Sequence, residues 1–238
     1  MPGPGSAIAI PNNHGGNPLL RFLLIGFLVA GLGAAVAQPQ TDVWPVETFE
    51  IGSLPAGWAV PGKEEDAPDW HLIQNPDAPD GKPVLAMLRP AKTGLFGWFG
   101  SGFNVVIDPS ADFLNGTISV HFKSVSGSSD QGGGIMWRVQ DAENYYVARF
   151  NPLEDNFRFY TVRNGSRSEL ASARMKLDPQ SWHKMTISQS GATFRGYLDG
   201  KLLLEYADGT FSAPGGVGLW TKSDAVTLFD DFRIDKAP

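Results

Sequence analysis

The stretch that decides the fold of this chain runs from Gly132 to Val162 and reads GGGIMWRVQDAENYYVARFNPLEDNFRFYTV. Apolar residues alternate with other residues in three segments, which are separated by the turn-forming sequences DAEN and NPLEDN. Because successive side chains of a strand point to opposite faces of a sheet, this alternation predicts three consecutive antiparallel strands. One face of these strands is apolar and belongs in a core, whereas the other face collects arginine and tyrosine side chains.

The face that carries arginine and tyrosine is the first candidate for a functional site. Arginine donates several directed hydrogen bonds to hydroxyls, carboxylates or phosphates, and a tyrosine ring stacks on the apolar face of a pyranose. The alternative is a solvated face whose arginines form ion pairs with nearby acidic residues, each contributing about 0–1 kcal/mol. We predict a ligand site centred on Arg138 and Tyr145. If the strands are neighbours in one sheet, the face consists of His121, Arg138, Tyr145, Arg149, Arg158 and Tyr160.

Most of the chain after residue 40 consists of short strand-like segments bounded by turn signals. The dipeptides Asn164-Gly165 and Asp199-Gly200 favour tight hairpins, since both positions tolerate a positive φ. A helical period is found only over Glu169–Leu177. With 28 Gly and 18 Pro, this pattern predicts an all-β fold, an antiparallel β-sandwich or barrel. Later strands are predicted at His183–Ser188, Thr193–Leu198, Leu202–Tyr206, Gly216–Thr221 and Val226–Ile234.

The N-terminal 37 residues have the layout of a secretory signal peptide. Arg21 precedes an apolar run from Phe22 to Val36, and Ala35-Val36-Ala37 matches a cleavage site with small residues. An uncleaved membrane anchor is the alternative, but the run is shorter than the roughly 20 residues that span a bilayer. We therefore predict export to the periplasm or the extracellular space, with residues 38–238 as a single mature domain.

The composition of the predicted mature chain limits its partners. It would carry 18 basic and 25 acidic residues, a net charge of −7, because the leader holds one arginine and no acidic residue. Nucleic-acid binders usually carry a basic excess, so nucleic acid is not an expected partner. The chain has no cysteine, which excludes thiolate catalysis, cysteine-ligated metals and disulfides. A domain of about 200 residues is large enough to be stabilised by its core alone.

Five motifs are distributed over the chain: FEIGSLPAGW from Phe49, GGGIMWRVQDAENYYVARFNP from Gly132, WHKMTI from Trp182, YLDGKLL from Tyr197 and GGVGLWTKSDAVTLFDDFRI from Gly215. Together they resemble the concanavalin A-like lectin/glucanase superfamily. Within that superfamily, the chain looks most like bacterial secreted domains grouped with 3-keto-disaccharide hydrolases, also described as glycoside hydrolase family 16-like. The resemblance implies a jelly-roll sandwich from Phe49 to Ile234 and a carbohydrate partner.

The chain departs from the family 16 glucanases in its carboxylates. Those enzymes carry a Glu-x-Asp-x-x-Glu strand that supplies the carboxylate pair for retaining hydrolysis. No such spacing occurs in this sequence, and its most motif-like strand has Met136, Arg138 and Val139 instead. The sequence therefore favours saccharide binding without turnover. The alternative that the resemblance implies is hydrolysis or elimination on a 3-keto-glycoside.

A structural calcium site is a further prediction. Asp230 and Asp231 lie on the predicted last strand, and Glu50 lies on the predicted first strand. The terminal strands of jelly rolls often lie side by side, which would bring these oxygen ligands together. The alternative is that Asp230 and Asp231 are ordinary carboxylates at the end of a strand. The four dispersed histidines show no spacing typical of zinc ligands.

Aromatic residues in the loop 90–101 are a candidate contact surface. Phe96, Trp98 and Phe99 lie between glycines, and exposed apolar clusters often mark contacts. Either they bind a ligand or partner, or the loop folds back over the sandwich. A binding role for these residues gives a third function class, a periplasmic domain that binds a protein partner.

Two turns carry acidic residues that are candidates for a catalytic role. Glu143 and Glu154 are candidates for a general acid or base, although residues of this kind usually serve turn geometry. Lys222 and Asp224 either reach a ligand at the rim of the sandwich or form a salt-bridged turn. The turn interpretation is favoured for both pairs.

Overall fold

The computed structural model describes residues 40–43, 50–62, 65–91 and 102–237, which fall within one compact unit, Ala37–Pro238. Within these ranges the regular secondary structure is entirely β, and no helix is long and apolar enough to cross a membrane. The strands are β1 (Gln40–Val43), β2 (Asp69–Ile73), β3 (Val84–Arg89), β4 (Phe103–Phe113), β5 (Gly116–Ser126), β6 (Gly133–Asp141), β7 (Asn144–Asn151), β8 (Asn156–Arg163), β9 (Ser166–Arg174), β10 (His183–Ser190), β11 (Thr193–Leu198), β12 (Lys201–Ala207), β13 (Gly215–Lys222) and β14 (Val226–Lys236).

The strands form two antiparallel sheets. The eight-stranded sheet has the order β12-β11-β10-β5-β14-β3-β2, and β1 pairs with the far end of β14. The six-stranded sheet has the order β4-β13-β6-β7-β8-β9. The two sheets form a jelly-roll sandwich, as the sequence predicts. All five of the later strands predicted from the sequence are present, with small shifts at their ends.

The main core lies between the two sheets and has an aromatic centre. Trp137 of β6 stacks on Tyr146 of β7 with ring centroids 5.4 Å apart, and it meets Phe194 of β11 edge-on at 5.5 Å. Such pairs add about 0.5–1.5 kcal/mol to the effect of area burial. Trp137 Nε1 donates to Gln189 Oε1 of β10 at 2.8 Å. This buried hydrogen bond joins the two sheets at their centre.

The Gly132–Val162 stretch forms β6, β7 and β8, three neighbouring antiparallel strands of the six-stranded sheet. The predicted apolar face is confirmed, since Ile135, Trp137, Ala148 and Phe159 are all buried in the main core. The opposite face of the same strands carries the predicted tyrosines and two of the predicted arginines. That face is described as a candidate site below.

The predicted Asn-Gly and Asp-Gly hairpins are confirmed. Asn164 and Gly165 have φ values of 47° and 73° and join β8 to β9, while Asp199 and Gly200 have 49° and 77° and join β11 to β12. Two successive positive φ values define the type I′ turn that matches the twist of a two-residue hairpin. The helical interpretation of Glu169–Leu177 was wrong, because β9 runs through most of that segment and pairs with β8.

Two sequence predictions fall outside the described residues. The signal peptide was predicted over residues 1–37, and the aromatic side chains of the loop 90–101 lie within residues 92–101. Both therefore stay predictions.

Candidate functional site

The outer face of the six-stranded sheet, turned away from the main core, carries a second buried cluster. Its aromatic members come from β7, β8 and β13, and apolar side chains such as Met136, Val147 and Val162 lie between them. Arginines of β7, β8 and β9 share this face. A sheet face that alternates with the core side is usually solvated in antiparallel sandwiches. Here it is largely buried instead. We call it the arginine–aromatic face and define it by Tyr145, Arg149, Arg158, Tyr160, Arg167 and Trp220.

Strand register brings these side chains together. Arg149 on β7 lies opposite Arg158 on β8, and Tyr145 lies opposite Val162. Arg167 on β9 lies opposite the same Val162. The pairing of β8 with its two neighbours, β7 and β9, therefore places three cations and two tyrosines on one surface, since residues two apart on a strand share a face.

Arg149 is a buried cation at the centre of an ionic network. Its side chain is 2% exposed. Nη2 lies 3.2 Å from Asp130 Oδ1, and Nη1 lies 2.9 Å from Asn156 Oδ1 and 3.3 Å from Glu154 Oε2. A buried charge is tolerated only when it is paired and hydrogen-bonded. Arg149 meets that condition through residues of two different loops.

Asp130 is the buried anion of this network. Its side chain is 4% exposed, and its carboxylate accepts hydrogen bonds from Arg149, from Asn151 Nδ2 at 2.8 Å and from Lys222 Nζ at 3.1 Å. Asp224 holds the loop that carries Asp130 in place. The backbone N–H groups of residues 128–130 donate to its carboxylate and lower its pKa. Lys222 is thus salt-bridged to Asp130 of another loop rather than within its own turn, and Asp224 anchors that loop.

Arg158 continues the network toward the edge of the sheet. Its guanidinium lies 3.4 Å from Glu154 Oε2 and 3.3 Å from Glu169 Oε2, and Nη1 donates to the Tyr160 hydroxyl at 3.3 Å. The Asn156 side-chain amide, followed by the two arginines, holds the pKa of Glu154 below its usual value. Glu154 is therefore an ionised carboxylate that bridges two cations.

Arg167 lies in a cage of aromatic rings. Its guanidinium carbon is 4.3 Å from the ring centroid of Tyr160, 5.6 Å from that of Phe103 and 5.7 Å from that of Trp220. All three distances are within the range of a cation–π attraction. Arg167 is partly exposed, and in the described part of the chain it has no carboxylate within 4.0 Å.

Four buried polar atoms of this face lack a hydrogen-bond partner of ordinary geometry within the described residues. They are Tyr145 Oη, Arg149 Nε, Arg167 Nη1 and Trp220 Nε1. The Trp220 indole lies near the Tyr145 hydroxyl, yet burial dominates and raises the pKa of Tyr145 above its usual range. An unpaired buried polar group costs about 1–3 kcal/mol, so native proteins contain few of them. Four such atoms on one face are therefore an unusual concentration.

His121 was grouped with this face by the sequence, and the structure places it elsewhere. It lies on β5, in the eight-stranded sheet, opposite Lys184 of β10 and Asp230 of β14. Its Nδ1 atom is 3.6 Å from Asp231 Oδ2, and burial followed by Lys184 lowers its pKa. The predicted grouping was wrong because β5 and β6 belong to different sheets.

The structure also places Arg138 outside the predicted group. Its φ of 48° lies in the left-handed region, and the register between β6 and β7 shifts after Trp137. Its side chain is buried, and it donates to the backbone oxygens of Leu114, Gly191 and Phe211 at 2.7–3.1 Å. These three carbonyls belong to three separate loops. The prediction that Arg138 forms the centre of a ligand site is therefore replaced by a structural assignment for this residue.

The predicted metal ligands are not assembled in the structure. Glu50 is exposed in a turn and its backbone oxygen accepts from Ser53, whereas Asp230 and Asp231 lie on β14. Asp231 pairs with Arg233 at 2.7 Å. Across the described ranges, no three His, Asp or Glu side chains are grouped so that they could hold a metal ion. Structural calcium stays a prediction, and Glu50 is not part of such a grouping.

Asp230 instead forms a buried carboxyl whose protonation affects stability. It accepts from the backbone N–H groups of Asp80 and Asp231, and burial raises its pKa from 3.8 to about 7. Between these values the folded state binds more protons than the unfolded state, so the contribution of Asp230 to stability is lost as the pH rises. His121 acts in the opposite sense below pH 6.5, since its folded pKa is lowered.

We expect Asp230→Asn to reduce the loss of stability between pH 5 and pH 8. The asparagine amide is neutral in both states, so unfolding of the variant no longer releases a proton from this position between pH 5 and pH 8. Urea unfolding of both proteins at the two pH values measures the difference. Asp77→Asn, at an exposed turn residue, is the matched control and should follow the wild type. An identical pH dependence for wild type and Asp230→Asn would show that this carboxyl does not titrate there.

The sequence analysis did not assign Arg167 or Trp220 to this face. The signal for Arg167 was present, because the Asn164-Gly165 turn fixes the pairing of Arg163 with Ser166. Counting one pair further places Arg167 opposite Val162. Trp220 carries no comparable signal, since β13 has apolar side chains on both faces. Asp130 comes from a loop, where no strand period marks the direction of a side chain.

A cleft of about 220 Å³ adjoins the apolar end of the arginine–aromatic face. Ile107 and Val139 belong both to its lining and to the buried cluster of that face. Asp141 is the one charged residue of its lining. The cleft therefore extends the face with mainly apolar surface.

Comparison with known proteins supports the fold. No protein-family model matches the chain. It is 28% identical over 107 residues to the levanase of Bacillus subtilis (strain 168), a match that covers 44% of this chain and only 15% of the levanase. The chain thus corresponds to a small part of that relative.

Two solved structures have the same architecture. The carbohydrate-binding module CBM66 from Bacillus subtilis superposes with a TM-score of 0.58 at 22% identity, over 75% of this chain and 96% of the module. The β-glucanase of Bacillus licheniformis superposes with a TM-score of 0.52 at 10% identity, over 85% of this chain and all of the enzyme. These similarities establish that the protein shares the two-sheet jelly-roll fold of a carbohydrate-binding module and a glucanase.

Proposed function

We propose that the protein binds a saccharide on the arginine–aromatic face and does not hydrolyse it. The observation that carries the proposal is the concentration of unpaired buried polar atoms among aromatic rings on this one face. A sugar presents hydroxyl groups around its rim and C–H groups on its ring faces. Tyrosine and tryptophan combine an apolar ring with a polar atom, which suits both surfaces of such a ligand.

The ionic network supports binding rather than turnover. A general acid needs a carboxyl whose pKa is raised toward neutrality. Glu154 has a lowered pKa, and Asp130 is bonded to Arg149 and Lys222. Both carboxylates therefore serve to hold cations in fixed positions. Rigid, preorganised donors reduce the entropy lost when a ligand binds.

The fold is compatible with binding and with hydrolysis, because the same sandwich occurs in a carbohydrate-binding module and in a β-glucanase. Hydrolysis of a 3-keto-glycoside is the enzymatic alternative implied by the motifs from Phe49 to Ile234. We further propose that binding takes place after export, as the leader over residues 1–37 predicts. A role in binding a protein partner would rest on the aromatic side chains of residues 92–101.

Arg158→Ala is expected to weaken saccharide binding at least about tenfold. Arg158 is partly exposed at the rim of the face, and a hydrogen bond from a charged donor contributes about 1.5–3 kcal/mol. A glycan array identifies the saccharides that bind, and titration calorimetry on the strongest of them measures the change. The same saccharides are then incubated with the protein, and chromatography should show no product.

Arg195→Ala is the matched control. Arg195 is also paired with a glutamate, at 2.6 Å from Glu205, but it lies on β11 of the other sheet. The Arg195→Ala variant should bind the saccharide with the affinity of the wild type. Unchanged affinity in a folded Arg158→Ala variant would place the site elsewhere. Failure of the wild type to bind any saccharide of the array would contradict the proposed function, and product formation would favour the enzymatic alternative.

A further inference from the structure

We propose that the saccharide bound on the arginine–aromatic face carries a carboxylate, as a uronic acid residue does, and that Arg167 binds this carboxylate. The inference rests on the proposed function and names the chemical class of its ligand. It is carried by the contrast between Arg167 and the other cations of the same face.

Every other cation of this face, and Lys222 in its ionic network, is neutralised by a carboxylate of the protein. Arg149 is paired with Asp130 and Glu154, Arg158 with Glu154 and Glu169, and Lys222 with Asp130, all at 3.1–3.4 Å. Among the described residues, the network thus contains three cations and three anions. Adding Arg167 gives the face one positive charge in excess.

Arg167 has no anion of its own within the described chain. Glu143, in the turn between β6 and β7, is close enough to affect the Tyr145 hydroxyl but forms no ion pair with Arg167. The buried Nη1 atom of Arg167 donates no hydrogen bond. Aromatic rings hold the guanidinium but accept no directed hydrogen bond of full strength. The donors of this cation are therefore left without an acceptor among the described residues.

The shape of these donors favours a carboxylate. A guanidinium is a planar fork whose parallel N–H groups match the two oxygens of a carboxylate. Tyr160 lies against one side of the guanidinium of Arg167, at 4.3 Å from its central carbon, which restricts its orientation. Tyr145 Oη and Trp220 Nε1 are buried polar atoms of the same face that also lack a hydrogen bond of ordinary geometry in the described part of the chain. The face thus offers an anion contact beside neutral contacts.

The test compares uronic acid oligosaccharides with their carboxyl-reduced counterparts, in which each carboxylate has become a hydroxymethyl group. The panel contains oligomers of galacturonate, glucuronate, mannuronate and guluronate, and titration calorimetry measures affinity at 50 mM and 500 mM NaCl. We expect the wild type to bind at least one acidic oligomer about tenfold or more tightly than its reduced form. Arg167→Gln should abolish this preference, whereas Arg167→Lys should keep part of it and Arg195→Gln all of it.

The outcomes separate this inference from the proposed function. Equal affinity for acidic and reduced oligomers, with loss of binding in Arg158→Ala, would overturn the carboxylate assignment and retain saccharide binding. A preference that survives Arg167→Gln would also overturn it. A sulfated oligosaccharide bound as tightly as the best uronate would show that the site selects negative charge in general, against the inference. Absence of binding by every member of this panel would overturn the carboxylate assignment, whereas binding of another saccharide on the glycan array would retain the proposed function.

Discussion

Replacing Arg149 with methionine is expected to lower the free energy of unfolding by about 3–5 kcal/mol. The substitution leaves Asp130 as a buried carboxylate that has lost its guanidinium partner and retains Lys222 and Asn151. Removing one member of a buried ion pair is more destabilising than removing both, because the remaining charge stays desolvated. For a domain of this size the melting temperature should fall by roughly 6–20 °C. Urea unfolding and a thermal melt measure the two quantities.

Arg158→Met is the control for this prediction. Arg158 contacts the same Glu154 carboxylate, but both side chains are partly exposed. Exposed ion pairs contribute about 0–1 kcal/mol, so this variant should melt close to the wild type. The double variant Arg149→Met with Asp130→Leu should recover part of the lost stability, since it removes both buried charges. Equal melting temperatures for Arg149→Met and Arg158→Met would contradict the buried network.

The sheet that carries the site could be predicted because its signals are local. Alternation over Gly132–Val162 specifies which side chains face the core, and Asn164-Gly165 specifies the turn that sets the next register. Both depend on residues that are close in sequence. Arg149, Arg158, Tyr145 and Tyr160 were therefore assigned to one face correctly.

The burial of that face could not be predicted in the same way. A row of arginines on a strand usually indicates solvent. Arg149 is buried because Asp130, 19 positions earlier, and Lys222, 73 positions later, complete its network. No periodicity relates residues at such separations. The sequence identified the composition of the face, whereas long-range pairing determined its environment.

Arg138 shows a second limit of the alternation argument. A single shift of register moves a side chain to another environment, and the left-handed φ of Arg138 marks such a shift. Glycine and asparagine in a sequence indicate positions where φ is often positive, whereas arginine gives no such indication. The assignment of His121 to this face was wrong for a different reason. Alternation within a strand does not indicate which sheet the strand joins.

Arg138→Met is expected to destabilise the protein by about 3 kcal/mol without changing saccharide binding. The guanidinium ties the loops at Leu114, Gly191 and Phe211 together at one end of the sandwich. Methionine fills similar space but donates nothing, so these carbonyls lose their donors, each loss costing about 1–3 kcal/mol where it stays buried. Removal of a desolvated charge offsets part of this effect. Urea unfolding measures the loss, and calorimetry on the saccharide identified above measures the affinity.

Arg138→Lys separates the geometry of this contact from its charge. A lysine ammonium keeps the charge but cannot reproduce the planar fork that reaches three carbonyls, so about half of the loss in stability is expected to remain. Weakened saccharide binding in a folded Arg138→Met variant would return Arg138 to the ligand site that alternation first predicted for it. Unchanged binding with a lowered melting temperature would support a purely structural role for Arg138. Saccharide recognition would then be assigned to the arginine–aromatic face, which contains the buried Arg149 and Arg167, the latter unpaired within the described residues.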